Sequence, residues 1–178
     1  KIDPLADADV IDTELMLADM HSLERRVDPL TKKTRGGDKE ATAMLHLVER
    51  VKAFLEIGKP ARLVDISIEE QPLFRQMHLL TAKPVMYVCN VEDDSAATGN
   101  HLSDEVGARA AKEGAACVSV SAAIESEIAQ LDEMEAKQEF LESLNLKRTG
   151  LERVIRAGYD LLGLITYFTA GPKESRAW

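Results

Sequence analysis

Apolar positions in the first third of the chain recur at helical spacing. Met16, Met20, Leu23, Val27 and Leu30 advance by 4, 3, 4 and 3 residues, and Ala41, Met44, Val48, Val51 and Leu55 by 3, 4, 3 and 4. Each set falls on one stripe of a helix, so the stretch 7–58 is predicted as two helices facing one another. Between them, 29–38 carries Pro29, Gly36 and Gly37, which turns the chain back into an antiparallel hairpin. Arms of roughly 20 residues, at about 1.5 Å per residue, set its tip about 30 Å from its base. Pro29 disfavours helix at Asp28, so the first arm is expected to end early or kink there.

Past Gly58 and Pro60 the period changes. Ser67 and Glu70 have capping-box spacing ahead of a helix expected from 69 or 72 to 80. The run 85–89 reads as a fully apolar strand of the kind buried in a parallel sheet. Ser103 is the expected N-cap of a helix through Val106, Ala110 and Ala111 that stops at Gly114. A second buried strand follows at 116–120. Strand, helix and strand in that order build a parallel sheet by right-handed crossover, which is α/β architecture. The acidic stretch 124–144 reads as two short helices. Thr149 with Glu152 opens another helix, which runs to about 162 and stops at Gly163. A strand over 164–169 and a turn at Gly171 and Pro172 then begin a β-rich module.

Composition adds limits. The 178 residues are 45% apolar and 30% charged, as in an ordinary folded, water-soluble domain or a domain with an appendage. No apolar run approaches the roughly 18 residues of a membrane span, and KIDPLADADV has neither a basic nor an apolar leader region. A cytoplasmic protein is expected. The chain begins without Met and stops on Ala177 and Trp178, as a piece of a longer protein would. A net charge of −9 excludes a broad nucleic-acid surface, and DNA is not expected as a partner. Cys89 and Cys117 lie in apolar runs without metal or disulfide spacing and read as buried core residues. His21, His46, His78 and His101 share no metal-ligand spacing.

One segment departs from the acidic background. Between positions 25 and 39 six basic residues (Arg25, Arg26, Lys32, Lys33, Arg35 and Lys39) face two acidic ones (Asp28 and Asp38). Two readings fit: a solvated tip that keeps the hairpin soluble, or a finger that lays positive charge on a phosphate backbone.

The strand ends carry the other candidate chemistry, because ligands of doubly wound sheets bind beyond the carboxyl ends of the strands. Asn90, Val91, Glu92 and Asp93 follow the first strand, and Ser121, Ala122 and Ala123 follow the second, 31 residues on. An asparagine amide donates and accepts, and a carboxylate three places later accepts from ring N–H and amino groups, so the pair can read a purine. Serine followed by small alanines leaves backbone N–H groups free to approach a base edge. The plainer alternative is a loop cap beside solvated acids.

Taken together, DADVIDTEL, GGDKEA, KPVMYVCNVED and GLERVIRAGYDLLGLITYFTAGPKESRAW resemble the YchF, or Obg-like ATPase, family of P-loop nucleotidases over essentially the whole chain. The resemblance implies a partial P-loop nucleotidase fold: 1–6 ends its first half, 7–58 is an inserted helical hairpin, 59–160 is its second half, and 161–178 starts a TGS domain. It also implies hydrolysis of ATP, or of GTP, with Mg²⁺, and ribosome binding through the hairpin and TGS regions. Asn90, Val91, Glu92 and Asp93 would then occupy the base-specificity loop, with Ser121, Ala122 and Ala123 supporting it. Position 93 is Asp where the family pattern N-x-x-E has Glu, and the shorter carboxylate suits guanine, which offers adjacent N–H donors. No G-x-x-x-x-G-K-[ST] occurs in these residues, so catalytic residues and metal ligands are expected upstream and the chain alone is expected to be inactive. The alternative function is a non-catalytic interaction module that binds ribosome or RNA through its basic tip.

Overall fold

A computed structural model describes residues 2–172 and 174–177; Lys173 and Trp178 of the terminal motif lie outside the described residues, as does Lys1. The chain divides into two compact units, Lys1–Pro84 and Val85–Trp178.

In the first unit, α1 runs over Pro4–Arg35 and α2 over Lys39–Glu56, and the two pack along their length. Asp3 and Asp38 cap them, each accepting from an N–H three residues on, Ala6 at 3.1 Å and Ala41 at 3.0 Å. The 32 residues of α1 make a rod of about 48 Å, longer than the arm expected from the sequence. The difference lies at Pro29, which neither ends the helix nor begins the turn. It removes one N–H from the ladder, but Val27 and Leu30 on either side of it pack against the hairpin core, and that packing outweighs the local preference. The turn is therefore confined to Gly36, Gly37 and Asp38, with Gly37 at φ +83.

Leu23, Leu47, Val48 and Val51 form the centre of this core, with Met16, Met20 and Met44 partly buried around it. Residues 61–79 belong to the same core, through Ala61, Val64, Met77 and Leu79. The capping box is present: Ser67 N–H donates to Glu70 Oε2 at 3.0 Å and Glu70 N–H to Ser67 Oγ at 3.3 Å. The helix it precedes, α3, spans only Gln71–Gln76, because His78 adopts φ 53 and cannot continue it. Arg50 also reaches Glu70, at 2.7 Å, and holds its carboxyl down to about 2, with the Ser67 amide adding to the effect.

Asp19 ties α1 to the far end of this segment. It is 2% exposed and accepts from Leu80 N–H at 2.8 Å, Thr81 N–H at 2.8 Å and Thr81 Oγ1 at 2.7 Å. The Thr81 hydroxyl accepts in turn from Ala61 N–H at 3.0 Å. Every donor in this chain is thereby paired, which is what permits a carboxylate to be buried.

In the second unit, β1 (Met86–Asn90) and β2 (Ala116–Val120) form a parallel pair, with Met86 opposite Ala116 and Asn90 opposite Val120. They are joined by α4, His101–Glu113. Its N-cap is Asn100 rather than Ser103: the Asn100 side chain accepts from the Leu102 and Ser103 amides, and Ser103 Oγ accepts from Asn100 N–H at 2.8 Å. Ser103 is thus the returning half of the box. Gly114 ends the helix at φ 68, as its position predicts.

The strands are less buried than their sequences imply. Val88 is 49% exposed; among the described residues the sheet has two strands, too narrow a surface to be covered fully on both faces. Helices α5 (Ala122–Ala129) and α6 (Met134–Ser143) pack through Ile124, Ile128 and Leu141. Then α7, Gly150–Leu162, lies against both strands and ends at Gly163, φ 61. Its C-terminus draws in Leu164, whose N–H donates to Tyr159 O at 2.9 Å, so the next strand, β3, starts only at Phe168. It covers Phe168–Ala170 and pairs antiparallel with β4, Ser175–Ala177.

Candidate functional site

Pairing of β1 and β2 brings the two strand-end loops together. The ladder continues one step past the strands, with Val91 N–H donating to Val120 O at 2.8 Å. Asn90 Oδ1 then accepts from Ala122 N–H at 3.0 Å, and Ser121 Oγ donates to Asp93 Oδ1 at 2.5 Å. Asp93 starts a single 3₁₀ turn, Asp93–Ser95, and Ser121 is the N-cap of α5, its Oγ accepting from Ile124 N–H at 3.3 Å. Ser121 is 3% exposed and Val91 is buried, whereas Asn90, Glu92, Asp93, Ala122 and Ala123 face solvent. All seven residues therefore sit at one end of the strand pair.

The bonding differs from the sequence expectation in one respect. Ala122 N–H is taken by Asn90, so it is not free for a ligand. Among the described residues the groups left over are the Asn90 amide N–H₂, Asp93 Oδ2, the exposed Glu92 carboxylate and the Ala123 N–H in the first turn of α5. They offer two kinds of donor and two anionic acceptors at the rim of a loop pair held by its own hydrogen bonds. Directly behind Asn90, Cys89 and Cys117 are half-buried free thiols with sulfurs 3.9 Å apart. Burial first, and then the nearby Cys117, push the Cys89 thiol up to about 11.

The six basic residues of the hairpin do not form one group. Lys32, Lys33 and Arg35 occupy the exposed last turn of α1, with Lys39 exposed across the turn at the start of α2. Arg25 is exposed about 15 Å back along the helix from Arg35. Arg26 is engaged elsewhere, capping α3 by donating to Gln76 O at 3.1 Å and Met77 O at 2.9 Å. Cations in a last turn also complement the helix dipole, which gives three of these residues a local role as well.

Sequence reasoning passed over a second basic stretch, Lys147, Arg148, Arg153 and Arg156 against one acid, Glu152, within 147–156. Its charge was visible. Its folding around a cavity was not.

A long helical hairpin in one unit and a strand–helix–strand parallel pair in the other define a mixed α/β protein. No family model matches the chain. Full-length relatives do: over all 178 residues it is 52% identical to the ribosome-binding ATPase YchF of Haemophilus influenzae and 48% identical to that of Escherichia coli O157:H7, covering 48% of each. The YchF of Bacillus subtilis is 46% identical over 180 residues. The solved structure of the Schizosaccharomyces pombe YchF GTPase superimposes with a TM-score of 0.86 at 30% identity, covering all of this chain and 49% of that one. The chain belongs to the YchF family, and it spans about half the length of the curated relatives it matches.

Proposed function

We propose that this chain carries the base-recognition half of a cytoplasmic P-loop nucleotidase that hydrolyses ATP, together with the helical hairpin by which such a protein engages the ribosome. On this reading 7–58 is inserted between two parts of the nucleotidase domain, 1–6 and 59–160, and 161–178 opens a TGS domain. The observation that carries it is the mutual bonding of the two strand-end loops, Asn90 to Ala122 and Asp93 to Ser121, beyond the carboxyl ends of paired parallel strands, where such folds bind ligands. The names of the relatives, ribosome-binding ATPase in bacteria and GTPase in fission yeast, agree with a nucleotide there.

In this role the Asn90 amide donates to the purine N7, Asp93 Oδ2 accepts from an amino group or ring N–H, and Ala123 N–H donates to a ring or exocyclic acceptor. The residues present fit a base. They do not fit Mg²⁺ or the terminal phosphates: the chain holds no G-x-x-x-x-G-K-[ST], and among the described residues no three His, Cys, Asp or Glu side chains are grouped to hold a metal. Hydrolysis is therefore assigned to residues outside these 178, and this chain alone is expected to be inactive.

Calorimetric titration of a full-length protein carrying these residues, with ATP and with GTP, tests the assignment alongside Asn90→Ala and Asp93→Glu. Asn90→Ala is expected to weaken both nucleotides by about tenfold, the equivalent of one hydrogen bond. Asp93→Glu is expected to raise the preference for ATP over GTP. Affinities unchanged in both variants would remove the base from this loop.

A further inference from the structure

We propose that Lys147, Arg148 and Arg153 form a phosphate-binding pocket in the second unit, separate from the strand-end loops. Lys147 and Arg148 are exposed on the connection between α6 and α7, and together with Arg153 of α7, Asn145, Leu146 and Ala97 they line a cavity of about 660 Å³. Arg153 also lines a neighbouring cavity of about 310 Å³ that reaches Thr98, Gly99 and Ser119.

Arg153 provides the argument for a ligand. Its Nε is buried and makes no hydrogen bond among the described residues, and its Nη2 reaches Ala96 O at only 3.5 Å, the outer limit of such a bond. A guanidinium presents five N–H donors in a rigid fork, and leaving a charged donor unpaired in the interior is costly. An anion entering the cavity supplies the missing acceptors to the fork. The two other cations make phosphate the matching chemistry, since three positive charges exceed what one carboxylate neutralises.

The acids nearby are occupied elsewhere or border other space. Glu125 is bonded to the amides of Gly150 and Leu151, at 2.5 and 3.0 Å, closing the N-terminus of α7. Glu152 borders a different depression with Arg148 and Arg156. In a chain of net charge −9 such a local excess of cations draws anions to one place. Because Ala96 directly follows the Asp93–Ser95 turn, a phosphate held by Arg153 braces that turn from behind.

The test uses the 178-residue chain with inorganic phosphate as probe, read by thermal shift and by ³¹P line broadening, against sodium chloride at matched ionic strength. The expected result is a saturable, phosphate-specific rise in Tm, with affinity reduced about tenfold or more in Lys147→Ala/Arg148→Ala. Both of those residues are exposed, so the variant keeps its fold, which circular dichroism checks. Arg153→Lys, which retains charge but loses the fork, is expected to weaken phosphate as well. Short oligoribonucleotides with and without a 5′-phosphate identify the source of the group. Competition by the phosphorylated one alone assigns terminal monoesters, competition by both assigns backbone phosphodiesters, and competition by neither, with phosphate still binding, assigns free phosphate. A shift reproduced by chloride, or phosphate affinity unchanged in the double variant, overturns the proposal.

Discussion

Asp19 is where a single substitution should release the hairpin from its base. Asp19→Ala removes a carboxylate that accepts three hydrogen bonds of 2.7 to 2.8 Å. Bonds to a charged acceptor contribute about 1.5–3 kcal/mol each, but the buried carboxylate carries its own desolvation penalty, and the two largely cancel. The cost of the substitution is therefore set by the donors left behind. Thr81 N–H is buried and cannot turn to water; Leu80 is 40% exposed, and its amide can. The expected loss is about 3–5 kcal/mol, as when one partner of a buried charged interaction is removed. Asp19→Asn should recover part of the loss, because its Oδ1 can accept from both Thr81 donors while its N–H₂ faces the Leu80 amide. Thr81→Val should cost about 1–3 kcal/mol by leaving Ala61 N–H unpaired in the core, and the two losses should not add, since both break the same chain of bonds.

Hydrogen exchange read by mass spectrometry on peptides covering 59–63 and 77–82 isolates this unit from the rest of the chain. At about 1.4 kcal/mol per factor of ten, protection there should fall by at least about a hundredfold in Asp19→Ala. A change of less than about tenfold in Asp19→Ala would show that water satisfies these donors and refute the reasoning.

Three other outcomes follow from the same structure. If the hairpin tip engages ribosomal phosphates, Lys32→Ala/Lys33→Ala/Arg35→Ala should abolish ribosome binding at moderate salt and leave nucleotide affinity unchanged; where residual binding is measurable, the salt dependence of log K should flatten by about 2–3, and normal binding by the variant would end that assignment. Glu70 is held down to about 2 against an ordinary value of 4.5, so its contribution to stability is present above about 4.5 and is lost as pH falls toward 2; Glu70→Gln should flatten that acid limb in pH-dependent unfolding, and an unaltered limb would exclude it. Cys89, pushed up from 9.0 to about 11, should hold about a hundredfold less thiolate at pH 8 than an ordinary thiol and react correspondingly slowly with iodoacetamide, whereas a rate equal to that in urea would show the burial to be ineffective.

What was legible in the sequence is what depends on near neighbours. The hairpin stripe follows from spacings of 3 and 4, and the glycine ends at Gly114 and Gly163 follow from one residue each, both at positive φ. Local signals failed where two of them competed or where packing outweighed one. Asn100 and Ser103 are both good caps three residues apart, and the structure uses each for the other. Pro29 is a strong helix breaker that Val27 and Leu30 hold in place from either side. Asp19, with four other acids among positions 7 to 14 of the same helix, gives no sign that it is the buried one, because its partners lie 61 and 62 residues away.

The candidate site shows the same division more sharply. That Asn90, Asp93 and Ser121 stand at strand ends can be read from the turn signals that follow each apolar run. Their bonds cannot, since they exist only once Asn90 pairs opposite Val120, and a shift of one residue in that register would separate the loops. This changes what Asp93 means. In the sequence it is a carboxylate one methylene shorter than the family pattern, and its length bears only on the base. In the structure one of its oxygens lies 2.5 Å from Ser121 Oγ, so a glutamate, reaching about 1.5 Å further, would have to give up that bond or displace the loop. Carboxylate length at this position therefore governs loop order, and if the loop reads a base as proposed, Asp93 has one oxygen, not a pair, to offer it.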